Sequence, residues 1–357
     1  IQLIELNNKS ENTETGIADY QEKEKLLNIN LKEDKKILHF GQLTIGSGTN
    51  GRYLGSFGIN RFNDGNELSI LGSFNNTNTN LFSYGDISGG KRSQTTLDID
   101  EFIDPIDGIN TTSSVGINIA KKVGKQSRLN SSYNYVKKNT SISGYSRMKS
   151  TYIGNTITKD EDYDEEQEDD NHKLRLFLDG KLDNKDILKV EGNLTYNLKS
   201  IFNNKESNVS NYQEINKGTN RDSAIHKIPI ADIDILYSKY FNKKDRKLVG
   251  KFNARSHTLK NNQFVNEEYS VYSKNVIDYS DELNNQFIDQ RNKNGSANLS
   301  LSFVEPFLNH SVFEFKYEYD HSNIDARRYV YNWLDARASN TVDSLTVDYG
   351  YKFNSNK

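Results

Sequence analysis

Val312-Phe313-Glu314-Phe315-Lys316-Tyr317-Glu318-Tyr319-Asp320 carries an aromatic ring at every second position from Phe313 to Tyr319 and a charge at each position between. Successive side chains of a strand point to opposite faces, so as a strand this segment has one aromatic face and one charged face. The period recurs upstream, where Leu188, Val190, Leu194, Tyr196 and Leu198 alternate with Lys189, Glu191, Asn193, Thr195 and Asn197, and Gly192 takes one apolar place. It recurs again at Leu299, Leu301 and Phe303, and at Val347, Tyr349, Tyr351 and Phe353. Weaker copies surround Val115–Ile119, Leu129–Tyr135, Leu174–Leu182, Ile233–Tyr237 and Leu248–Ala254.

At one end these segments are joined by short polar links. Phe62-Asn63-Asp64-Gly65-Asn66 contains the Asp-Gly pair that tight hairpin turns favour, and similar links lie at 122–125, 183–186, 242–245 and 305–309. At the other end, segments 76–112, 138–171, 200–227, 259–292 and 322–344 are rich in Asn, Ser, Asp and Lys and read as long loops. Short turns alternating with long loops are the asymmetry of an outer-membrane barrel, with the loops outside the cell.

Composition agrees. Hydrophobic residues are 34% of the 357, yet 21 Tyr and 17 Phe bring aromatics to 11%. A disordered chain lacks such aromatics. A membrane barrel needs an apolar residue only at alternate positions and collects rings at the two interfaces. No apolar run reaches the roughly 20 residues of a spanning helix, whereas about ten suffice for a strand. With 46 Lys plus Arg against 49 Asp plus Glu, nothing in the charge calls for nucleic acid. The expected fold is therefore all-β: a partial antiparallel transmembrane β-barrel of about twelve strands in residues 37–357. Residues 1–36 are set apart by the charged run Gln21–Lys25 and a strand-like Leu26–Leu31. The first residues form no signal peptide, and both ends read as cut.

Leu27-Asn28-Ile29-Asn30-Leu31-Lys32-Glu33-Asp34-Lys35-Lys36, followed by Phe40-Gly41-Gln42-Leu43-Thr44-Ile45-Gly46-Ser47-Gly48-Thr49-Asn50-Gly51-Arg52-Tyr53, resembles the plug-to-barrel junction of the outer-membrane β-barrel family related to TonB-dependent receptors. Ile59–Asn63 and Gly108–Thr112 add to the likeness, which is strongest over residues 16–137. The resemblance implies that 1–36 is the C-terminal remnant of a plug domain and 37–357 the first part of the barrel. It implies a transporter of the Gram-negative outer membrane that captures a bulky nutrient with its outer loops. Its partners are then membrane lipid, a TonB-type energising complex acting through an N-terminal part not present here, and a candidate surface lipoprotein. The chain departs from that pattern: it shows no TonB box or complete plug, and about twelve strands against the 22 of plugged transporters. A non-energised surface barrel serving adhesion, binding or envelope assembly is the alternative, and a soluble β-sandwich lectin a third reading.

No catalytic constellation stands out, and no enzyme activity or cofactor is expected. Gly46-Ser47-Gly48-Thr49-Asn50-Gly51 matches the dinucleotide fingerprint, but a strand-like stretch follows it where a helix is required, so it reads as a hairpin turn. The six His are scattered without ligand spacing. The acidic run Asp160–Asp170 reads as a solvated, self-repelling loop. Within it Asp160, Asp162 and Asp164 are weak cation candidates. Tyr133, Tyr135, Tyr237, Tyr240, Phe241, Tyr317, Tyr319, Tyr349, Tyr351 and Phe353 read as interfacial girdles. The loop aromatics Phe82, Tyr84, Tyr269, Tyr272, Tyr279, Tyr329, Tyr331 and Trp333 are the ligand-binding candidates, because loops carry recognition.

Overall fold

The structure is a computed structural model that describes residues 3–9, 24–30, 37–77, 108–124, 126–152, 155–182, 185–211, 214–243, 245–273, 279–308, 311–333 and 342–356. β1 (Leu3–Lys9) and β2 (Glu24–Asn30) pair antiparallel in a sheet of their own. The remaining strands are β3 (Ile37–Ser47), β4 (Tyr53–Asn63), β5 (Asn66–Asn75), β6 (Ile109–Val123), β7 (Ser127–Tyr152), β8 (Asn155–Leu182), β9 (Asp186–Ser210), β10 (Glu214–Tyr240), β11 (Lys247–Ser273), β12 (Tyr279–Leu308), β13 (Ser311–Trp333) and β14 (Val342–Asn356). They form one twelve-stranded antiparallel meander in chain order. The all-β class and the strand number are those the alternation predicts. A β-sandwich requires two packed sheets, and this single continuous sheet rules that reading out. Among the described residues no helix is long and apolar enough to cross a membrane, which leaves crossing by strands untouched.

The predicted tight turns appear. Asn63 pairs with Asn66 across Asp64 and Gly65, whose φ values of 45° and 78° are those of a type I′ turn. Gly124 (φ 67°) and Asp245 (φ 63°) turn two more hairpins at the same end. The nucleotide-like Gly46–Gly51 ends β3 and closes into a 3-10 turn at Thr49–Gly51 leading into β4, with Asn50 at φ 56°.

Among the described residues the long loops do not appear. Residues 138–152 and 155–171 continue β7 and β8, and 200–210 and 214–227 continue β9 and β10. Segments 259–273, 279–292 and 322–333 likewise belong to β11, β12 and β13. Polar composition misled because a ladder fixes backbone hydrogen bonds whatever the side chains are, and a strand wet on both faces tolerates Asn, Ser, Asp and Lys. Of segment 76–112, residues 78–107 lie outside the described set.

Register and alternation sort the side chains into two faces. On one, the row Leu129–Leu178–Val190–Ile235–Phe252–Leu299–Tyr319 runs apolar across seven strands, β7 to β13. Beside it run Leu176–Gly192–Ile233–Ala254 and Ile70–Ile117–Tyr133–Leu174–Leu194–Ala231. On the opposite face the matching row is Asn130–Phe177–Glu191–Asp234–Asn253–Asn298–Asp320. The burial is inverted relative to a water-soluble sheet. Every buried residue other than glycine, including Ser56, Ser69, Ser73, Asn75, Asn130, Ser238 and Ser300, lies on the polar face. The large apolar side chains of the other face stay out, Phe315 at 67% and Leu176 at 44% exposure. Small residues let that exposed face pack sideways: the Phe74 ring lies over Gly55 and the Phe57 ring over Gly72, where an added Cβ would meet ring carbons.

The apolar belt has edges. At one, Tyr135, His172 and Tyr196 share a register row with His172–ring centroid distances of 4.7 and 6.4 Å. At the other stand Tyr237 and the ring pairs Phe241–Phe303 and Phe307–Phe313. On β9 the belt runs nine residues, Leu188 to Tyr196 inclusive, about 26 Å at ~3.3 Å per residue, close to a bilayer's apolar band. The girdle reading therefore fits Tyr133, Tyr135, Tyr237, Tyr317 and Tyr319. It fails for β14: Tyr349, Tyr351 and Phe353 pair with Arg328, Ala326 and Ile324 on the polar face, the first two beyond the belt.

Candidate functional site

Beyond the Tyr135–His172–Tyr196 row the hairpins run on. β9 continues for fourteen residues, Asn197 to Ser210, roughly 45 Å of sheet. The acidic run is the matching part of β8, held between β7 and β9. Its even positions, Asp160 to Asp170, share the face of the belt. Arg147 donates to both oxygens of Asp160 at 2.5 and 3.1 Å, Tyr145 Oη donates at 2.8 Å, and Lys137 pairs with Glu168. Arg147, then Tyr145, holds the Asp160 carboxyl below its ordinary range. On the other face Lys159 and Lys205 flank Glu161 at 2.8 and 2.7 Å and do the same to it. These cations, not solvent alone, are what let so acidic a segment take strand form. Asp160, Asp162 and Asp164 follow one another along a strand two residues apart and do not converge; among the described residues no group of three acidic or His side chains could hold a metal.

The aromatic candidates divide. Phe82 and Tyr84 lie outside the described residues. Tyr272 pairs with Tyr279 at the far end of β11, and Trp333 closes β13 opposite Val342. Tyr269 stands on the polar face over Gly218. Tyr331 and Tyr329 stand on the other face, with centroids 6.3 Å apart. Tyr331 is 6.1 Å from Phe287, which is 4.8 Å from Phe264, giving one ring on each of β13, β12 and β11 in a single register row. Phe202 of β9 belongs to the same row. Phe287 is twelve residues from Leu299, roughly 40 Å, so this cluster stands clear of the belt. The sequence reading did not single out Phe202, Phe264 and Phe287 among the residues it placed in loops; register alone puts them beside Tyr331.

The polar face forms the third feature. Within the belt Arg175 is hydrogen-bonded to Glu191 at 2.5 and 3.1 Å, Asn298 donates to Asp320 at 2.5 Å, and Asn253 donates to Asp234. In the extension, Asn220 and Asn284 donate to the two oxygens of Glu267 at 3.1 and 3.0 Å. Burial, and then the Glu267 charge, raises the nearby Asp222 carboxyl, while burial and Lys199 lower His226. A recess of about 430 Å³ on this face is bordered by Asp232, Arg255, His257, Asn294, Ser296 and Ser322. Back to back with it, a recess of about 350 Å³ on the apolar face lies among Leu174, Leu176, Leu194 and Ile233, over Gly192, Ala231 and Ala254.

No protein-family model matches the chain, and no curated protein does. Among solved structures, CdiB from Acinetobacter baumannii aligns at 13% identity with a TM-score of 0.20, over 99% of this chain and 66% of CdiB. The chain thus spans slightly under two thirds of that protein, and at this TM-score the likeness carries no part of the argument.

Proposed function

We propose that the twelve-stranded sheet is the wall of an outer-membrane β-barrel that admits a solute, with its polar face lining the lumen and its hairpin extensions standing outside the cell. The observation that carries this is the inverted amphipathicity. Large apolar side chains face outward in a belt one bilayer deep, bounded by aromatic rows, and Ser and Asn are buried on the opposite face. In water that arrangement exposes a contiguous apolar surface with no compensation; in lipid it is the low-energy one. The edges β3 and β14 suit the same setting once paired, because lipid cannot satisfy open strand edges.

The finer reading is an energised importer of the TonB-dependent receptor type, supported by the plug-to-barrel likeness of residues 27–53, with 1–36 as the end of the plug. The non-energised surface barrel is the alternative, for which the hairpin extensions, fourteen residues on β9, offer a large surface beyond the belt. Recovery of the chain in the outer-membrane fraction, released by detergent and not by urea, tests the barrel. Solute uptake that collapses with a protonophore while surface binding persists supports energised import; uptake indifferent to the protonophore contradicts it.

A further inference from the structure

We propose that the lumen wall carries a station for an oxyanion group, a carboxylate or phosphate on the passing solute, built on Arg255; the inference rests on the barrel reading above. Two other cations of this face are engaged: Arg175 by Glu191, and Arg128 by Glu67 at 3.3 Å and Asn130 at 3.1 Å. Arg255 differs. Its nearest acid is Asp232, approached at 3.5 Å by Nε, and its side chain is 72% exposed. The approach to Asp232 is made by Nε, and a guanidinium carries two further amino groups whose edge is the planar two-donor fork that matches an oxyanion. Around it, besides Asp232, the recess offers hydrogen-bonding groups: the Asn294 amide, the Ser296 and Ser322 hydroxyls and the His257 ring. These belong to three adjacent strands, β11 to β13, held in register beside Asp232 of β10, so the donors sit on rigid sheet. The position is mid-belt: Arg255 follows Ala254 of the Leu176–Gly192–Ile233–Ala254 row, where every solute using the lumen passes. A cation loosely tethered to one acid binds an anion weakly enough to release it, which conduction requires.

The test is the reversal potential of the full chain in planar bilayers under a KCl gradient, with inorganic phosphate as blocker. Wild type is expected to be anion-selective, and phosphate to reduce its current. Arg255→Gln should move the reversal potential toward the cation side and weaken phosphate block about tenfold or more. Asp232→Asn, which frees the guanidinium, should move both in the opposite sense. The exposure of Arg255 makes it a substitution the fold tolerates, and equal recovery of all three proteins as detergent-extracted, protease-resistant membrane protein verifies that. Unchanged selectivity and block in both variants overturn the oxyanion station while leaving the barrel standing. Absence of any conductance from wild type overturns the barrel reading and this inference with it.

Discussion

Replacing Leu176 with Arg separates a lipid-facing belt from an ordinary wet surface. Leu176 is 44% exposed in the isolated chain, so in water the change removes little packing and costs within about 0.5 kcal/mol, as surface substitutions do. In a membrane the same position faces hydrocarbon. It lies in the row of Gly192, the midpoint of the Leu188–Tyr196 belt, and Arg at the midplane of a barrel costs about 2–4 kcal/mol, falling to about 0–1 near the interfaces. Arg placed at Leu188 and at Tyr196, four residues to either side, should therefore cost about a quarter as much. Asn193→Arg, adjacent on the polar face, should be close to neutral. The assay is guanidinium unfolding from phospholipid vesicles, reading the midpoint shift at constant slope. A flat profile along β9, or equal costs for Leu176→Arg and Asn193→Arg, would refute the assignment of the faces.

Two further outcomes follow from single contacts. Arg246 and Lys243 hold Glu305 at 2.6 Å at the turn end and pull its carboxyl from 4.5 down to about 2. A depressed carboxylate contributes stability that is complete above its unfolded pKa and is lost as pH falls through the folded one; turn protection measured by hydrogen exchange should hold to pH 4.5 and fail toward pH 2, and Arg246→Gln should erase that dependence. In the extension, Phe287→Ala removes two ring contacts, each worth about 0.5–1.5 kcal/mol, so amides of residues 261–270 should exchange faster while global unfolding from lipid barely moves.

What the sequence made legible was the part where one face is apolar. From Val312–Asp320 and its copies, alternation gave the class and the strand count, since a strand with one apolar face needs every second residue to be apolar, and the polar links between copies gave the tight turns at Asp64-Gly65 and Gly124. Beyond Tyr196 both faces are wet, that constraint lapses, and composition pointed to loops where β8 and β9 continue as paired strands. The acidic run shows why: the cations that stabilise it, Lys137, Arg147 and Lys205, come from β7 and β9, remote in sequence and adjacent only through register. The Phe264–Phe287–Tyr331 row and the Arg255–Asp232 approach were hidden for the same reason. β14 was misread because alternation reports two faces but not which of them a given strand turns to the lumen.

The chain contains no Cys, so a single introduced thiol reports its own side of the membrane. Labelling intact cells with a membrane-impermeant maleimide is the most direct test of the barrel. Asp164→Cys in the extension should react on intact cells, Asp64→Cys in the β4–β5 turn only after the outer membrane is opened, and Leu176→Cys in neither case without detergent. Equal reaction of all three on a chain recovered in a soluble fraction would contradict the account.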